Sequence, residues 1–285
     1  MKMAKGMMVQ YIMENLPGML PGKEIKISEM TVNGMLLTGI IARDKEENVA
    51  PVVYLEHFRG KTEQEICEKI ADALNNAKPL GIDPVQLLHD RAFVKSHIHP
   101  VLCSSMTRSC DMVSFMEIGD MSLLLEIELV KDGYAKVTHS ILKETGLSRE
   151  EALAAAMANV NPTITRMEDT MLYLLDTETG PENLYETKDL FCGGSSLLVV
   201  SNKSIFHGAA NILNEKVKAR LHELLGKRFF ILPSSIHEVI CCPVYMLDAD
   251  SLRNMVGEIN QSEVAPDDRL SDKVYVCEYG QIRVA

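Results

Sequence analysis

Tryptophan is absent from this chain and aromatic residues make up only 5% of it. With 46% hydrophobic and 24% charged residues it still sits near the globular average, which excludes disordered and fibrous classes. A basic excess is also missing. Lysine and arginine number 29 against 40 aspartates and glutamates, a formal charge of −11, which repels a phosphate backbone and argues against nucleic acid as a partner. The seven cysteines are odd in number, include the adjacent pair Cys241 and Cys242, and contain no C-x-x-C spacing. That excludes a disulfide framework or a zinc signature and leaves reduced, buried thiols in a reducing compartment. No stretch reaches the roughly 18 consecutive apolar residues of a membrane span, and the N-terminal run lacks a signal-peptide pattern. The expectation is a cytoplasmic protein with no membrane partner. Neither a P-loop, a G-x-G-x-x-G turn nor a G-x-S-x-G elbow is present, so no cofactor is expected.

What is present reads as alternating helices and strands. Residues 7 to 16 suit a short helix ended by Pro17-Gly18, and Asn33-Gly34 between two apolar runs suits a hairpin. Residues 49 to 58 are β-branched and aromatic, with Pro51 confining them to a strand start or edge. Thr62 with Glu65 makes a capping box before Ile66, Ile70 and Leu74, predicting a helix over 63 to 77. Asp83-Pro84 starts another helix. Residues 121 to 130 and 134 to 139 bracket Asp132-Gly133, a second hairpin signal. Ser148 with Glu151 caps an alanine-rich helix, and Thr165 with Glu168 suggests a further one whose Met167, Met171 and Leu174 fill core. The acidic stretch 176 to 189 around Gly180-Pro181 is the candidate boundary, dividing an N-terminal α+β portion, 1–178, from a C-terminal portion, 190–285.

The C-terminal portion gives strands near 197, 229, 237 and 273, with helices at 208 to 225, stopped by Gly226, and at 251 to 260. The order is βαββαβ. The fold class is therefore α+β with mixed or antiparallel sheets, the C-terminal half ferredoxin-like, both helices on one sheet face. In that arrangement the strands at 197 and 229 are parallel. Their following loops, 201 to 207 and 233 to 237, then lie at one sheet end, about 10 Å apart.

Several runs resemble a known family: NVAPVVYLEHF at 48 to 58, VVSNKSIFHGAANIL at 199 to 213, FILPSSIHEV at 230 to 239 and VAPDDRLSDKVYVCE at 264 to 278. They are similar to the uncharacterised bacterial family called domain of unknown function 5688, best known from Clostridia and their relatives. The resemblance covers nearly the whole chain and implies a soluble bacterial protein. It supplies no catalytic residues. The family carries glycine and asparagine near the positions where this chain has Ile205 and His207.

Two constellations are candidate sites. Ser234 or Ser235 could be activated by His237 and oriented by Glu238, a small hydrolase. Adjacent strand residues face opposite ways, however, so the bland account is a proline-serine turn with a structural His237. Lys203, Ser204 and His207 lie between a strand and a helix N-terminus, where an anion could bind, with Ser234 and His237 across a shared cleft. His97 and His99, two apart, would share a strand face, and His89-Asp90 is near, but no third metal ligand has diagnostic spacing. Asp267, Asp268 and Asp272 read as a solvated acidic loop. The leading expectation is a non-enzymatic cytoplasmic binding or interaction protein, its partner a small anion or another protein, with no metal. The alternative is the serine-histidine hydrolase.

Overall fold

The computed structural model describes residues 5–32, 35–44, 50–58, 61–76, 84–105, 111–130, 133–175, 197–233 and 235–285. The chain divides into two compact units, Met1–Leu87 and Leu88–Ala285. The expected boundary at 176 to 189 lies outside the described residues, but strands on its two sides pair with each other, so 1–178 and 190–285 are not separate bodies.

In the first unit, β1 (Glu24–Val32), β2 (Met35–Arg43) and β3 (Val52–Tyr54) form an antiparallel sheet covered by α1 (Lys5–Met19) and α2 (Glu63–Asn76). Ile12 and Leu16 of α1 meet Ile66, Ile70 and Leu74 of α2 and Ile40 of β2 in one core. Each such side chain contributes about 1.5–3 kcal/mol by leaving water. The periodicity of α2 was readable because its apolar face is this core. Its capping box forms as expected, the Thr62 N–H donating to Glu65 at 2.8 Å. α1 runs through Pro17 instead of stopping there, because Leu16 and Leu20 carry the buried face onward. The strand expected over 49 to 58 is only three residues, followed by a 3-10 turn over Leu55–Phe58. The Asn33-Gly34 turn lies outside the described residues.

The second unit begins with α3 (Pro84–His89) and α4 (Arg91–His97). A four-stranded antiparallel sheet follows: β4 (Ile98–Ser104), β5 (Met116–Ile118), β6 (Met121–Val130) and β7 (Gly133–Lys136). Then come α5 (His139–Thr145) and α6 (Arg149–Asn159), the latter started by the expected Ser148–Glu151 capping box. β8 (Pro162–Arg166) and α7 (Met167–Leu175) complete this half. Thr165 is a strand residue within β8 rather than a helix cap, its hydroxyl bonded to that of Thr170. Met171 is exposed rather than core.

The remaining elements are β9 (Leu198–Asn202), α8 (Glu215–Leu225), β10 (Arg228–Leu232), β11 (Val239–Pro243), α9 (Ala249–Ser262), β12 (Tyr275–Glu278) and β13 (Gln281–Val284). With β8 they make a six-stranded antiparallel sheet ordered β13-β12-β10-β11-β9-β8. The protein is thus α+β, and β9 to β12 with their two helices follow the βαββαβ order. The sheet is not ferredoxin-like. β9 and β10 are parallel with β11 between them, as expected, but β12 flanks β10 instead of β9. Both crossovers therefore step the same way along the sheet from strands of opposite direction. Right-handed connections then place the two helices on opposite faces. The cores agree: Val217 and Leu221 of α8 pack with Phe229 and Ile231, whereas Leu252 and Val256 of α9 pack with Phe230 and Leu232. The same alternation points Cys241 and Cys242 to opposite faces.

Candidate functional site

The two loops singled out in the sequence do meet. The Ser201 hydroxyl donates to the His237 carbonyl at 2.8 Å, and the Ala209 N–H to the Ile236 carbonyl at 3.2 Å. The His207 N–H donates to His237 Nδ1 at 3.2 Å. Gly208 seals the seam: a Cβ there would lie 2.4 Å from Ser201 Oγ and 2.8 Å from the His237 carbonyl oxygen. Loop and turn therefore pack against each other where a shared cleft was expected.

The serine turn has local work. Ser235 is buried; its Oγ accepts from the His237 N–H at 3.0 Å and its side chain also bonds Glu238. The ring of His237 is held elsewhere, Nδ1 by the His207 N–H and Nε2 at 3.4 Å from Asp268. Burial lowers the His237 pKa, but Asp268, with Glu238 and Asp267, outweighs this and leaves it raised. Ser234 lies outside the described residues. Asp268, read in the sequence as a solvated acid, is thus a partner of His237.

A pocket of about 240 Å³ lies on the other side of the 202–207 loop, against β4, β6, β7 and the α6–β8 junction. Its floor is one face of the smaller sheet. Register places His99, Glu126 and Lys136 in a row across three strands, with Glu128 opposite Tyr134 in the next row. Side chains two apart on a strand share a face, so all five project the same way. Lys203, Ser204 and His207 line the pocket, as does Asn211. His237 is outside the lining and supports it from behind, its ring 5.6 Å from that of His207.

Glu126 is the centre of this floor. It is only 1% exposed. One oxygen takes the Lys136 ammonium at 2.9 Å and the other takes His207 Nδ1 at 2.5 Å. Burial raises its pKa, but these two bonds outweigh the desolvation and hold the carboxyl below its ordinary range. His207 is clamped further by its rings: Phe206 stacks at 3.9 Å and Tyr134 lies 5.6 Å away. Its backbone sits at φ 52, and Ile205 at φ 49, the left-handed region that β-branched and bulky residues avoid. Asn202 enforces the bend. Its side chain accepts from the Phe206 N–H and the Ser204 hydroxyl and donates to the Phe206 carbonyl.

Asn211 is 2% exposed, and its Nδ2 donates to the Ser201 carbonyl at 3.0 Å. Its Oδ1 is buried with no hydrogen-bond partner. Such an atom ordinarily costs about 1–3 kcal/mol unless something supplies a donor.

The histidine pair at 97 and 99 does not share a face, because the chain changes from helix to strand between them. His97 ends α4, stacked on Phe93 at 4.0 Å, while His99 is in β4, 3.8 Å from Glu128. Burial lowers the His99 pKa. Among the described residues no three histidine, cysteine or acidic side chains are grouped to hold a metal. The described residues contain no helix long and apolar enough to cross a membrane. Cys67, Cys241, Cys242 and Cys277 are free and buried, Cys103 is buried, and Cys110 and Cys192 lie outside the described residues.

Fold and site together define an α+β protein with a polar pocket walled by aromatic rings and histidines. The chain belongs to a family of unknown function, DUF5688, whose model matches residues 6–278. No curated protein and no solved structure matches it.

Proposed function

We propose that this protein binds a small polar ligand in the pocket formed by β4, β6, β7 and the 202–207 loop. The observation that carries this is the unpartnered, buried Oδ1 of Asn211, a residue of the pocket lining. It calls for a ligand with an N–H or O–H donor. Lys203 in the same lining favours an anionic group on that ligand. The charge is mixed, however, since Glu128 also lines the pocket and Glu126 is neutralised by its two partners. A singly charged or zwitterionic molecule fits this lining better than a polyphosphate. The acidic chain and this lining also disfavour nucleic acid. Four buried free thiols, with burial pushing Cys242 up to about 11, suit a reducing compartment, and the family resemblance suits a bacterium. We place the protein in a bacterial cytoplasm on those grounds.

Thermal shift against amino acids, hydroxy acids, nucleosides, inorganic phosphate and nucleoside triphosphates tests the reading. A binder at about 100 times its dissociation constant adds roughly 2.7 kcal/mol. The expected result is a shift with a singly charged or zwitterionic compound, weakened in Lys203→Ala and Asn211→Ser. Silence across the panel, or equal shifts in those variants, would overturn it.

A further inference from the structure

The pocket holds more than recognition requires. His207 has one ring nitrogen committed to a buried carboxylate, and among the described residues no protein group bonds the other, Nε2. In the neutral tautomer that donates Nδ1–H to Glu126, Nε2 carries the lone pair. The ring cannot easily swing away. Phe206 stacks on it and Tyr134 lies tilted beside it, the His207 N–H is tied to His237, and His237 is tied to Asp268. A purely structural ion pair for Glu126 needs none of this: Lys136 alone would partner the acid, and no residue would have to sit at φ 52 to do so. A left-handed backbone and a locked rotamer that together fix one partly exposed ring are the marks of a preorganised acid–base group.

We propose that His207 is a general base, its Nε2 removing a proton from the small polar molecule bound in this pocket, with Glu126 as the residue that positions it. In that step the substrate's X–H bond breaks, its electron pair stays on the substrate, and the proton moves to Nε2. The imidazolium formed faces the Glu126 carboxylate, which stays ionised because Lys136 also holds it. Lys203 in the lining offers positive charge to the anion left on the substrate. The titratable groups facing the ring are Glu126 with Lys136 behind it, Tyr134, His237 with Asp268, and across the pocket His99, Glu128 and Lys203. The inference rests on the ligand-pocket reading above and adds turnover to it.

The probe is 5-nitrobenzisoxazole, a flat molecule opened by loss of one proton. A base takes the C3 proton, the N–O bond breaks, and a coloured cyanophenolate appears, with no nucleophile or cofactor. We expect saturable opening by the full chain. His207→Asn, which tolerates positive φ, should lose on the order of a hundredfold in rate, the scale of general-base catalysis. Exogenous imidazole should restore part of the rate in His207→Gly, a recovery that a structural role would not give. Glu126→Gln, which keeps an acceptor for Nδ1–H but removes the carboxylate's charge, should lower kcat while leaving KM nearly unchanged, the split expected of a positioning residue. His139→Gln, an exposed histidine away from the pocket, should match the parent. If the probe binds by thermal shift but the parent and His207→Asn turn it over equally, or imidazole rescues nothing, the proton-transfer proposal falls while the pocket stands. If the parent does not open the probe while a charged or zwitterionic compound of the thermal-shift panel binds, the proton-transfer proposal falls and the pocket stands; if that panel is silent as well, both fall.

Discussion

Two histidines stack 5.6 Å apart in the second unit, one in the turn after β10 and one in the loop after β9, and they have opposite fates. His237 has both nitrogens engaged, by the His207 N–H and toward Asp268. His207 has one nitrogen on Glu126, and the ring lines a cavity. The more distinctive sequence run, ILPSSIHEV, holds the structural member of the pair. A histidine's role is set by where its second nitrogen points, and that depends on partners supplied from far along the chain.

The comparison is broken most severely through Glu126. In Glu126→Ala the Lys136 ammonium loses its carboxylate and His207 its clamp. Removing one partner of a buried ion pair costs about 3–5 kcal/mol, which urea denaturation would read. The pH dependence has a definite sign. The folded pKa of Glu126 lies below the ordinary 4.5, so its contribution is fully present above that value and lost as pH falls through the lowered one. Glu126→Gln should therefore flatten the acid limb of the stability profile. A parent-like limb would mean that Glu126 is not held by these bonds.

Gly208→Ala tests the seam that joins the two histidines. The added methyl meets Ser201 Oγ, the Asn202 amide nitrogen and the His237 carbonyl oxygen, all within 2.8 Å. Overpacking of this kind costs about 1–3 kcal/mol, and the change should also broaden or shift the ring signals of both histidines in NMR spectra. Ile205→Gly is the smallest change and the only gain. Relieving a bulky residue at φ 49 returns about 1 kcal/mol, offset in part by lost packing of a half-buried side chain. A lower melting temperature would show that the packing outweighs the strain.

Local features of the sequence were legible, distant ones less so. Capping boxes at Thr62 and Ser148, the stop at Gly226 and the α2 periodicity rest on contacts within a few residues, and each formed. The meeting of the 201–208 loop with the 233–238 turn followed from the parallel relation of β9 and β10, which strand order implied. The last strand's position did not follow, because order alone leaves open which neighbour it joins. β8 was hidden by Thr165, whose spacing to Glu168 mimics a cap. In the site, Lys203, Ser204 and His207 were visible as polar residues between strand and helix, whereas Glu126 was passed over. Its signal was there: two acids, 126 and 128, in the run MSLLLEIELV share one face of an otherwise apolar strand. A charge in a central strand needs partners, and those partners, residues 136 and 207, lie 10 and 81 positions away.

That separation predicts a sequence of events in folding. The β6–β7 hairpin can bring Lys136 to Glu126 early, through a local turn, but His207 arrives only when the β9 loop docks. Until then the acid keeps its water. Docking should follow the main barrier, so loss of the His207 contact should speed unfolding and leave the folding rate nearly unchanged. The pocket would then be the last part of this unit to close and the first to open.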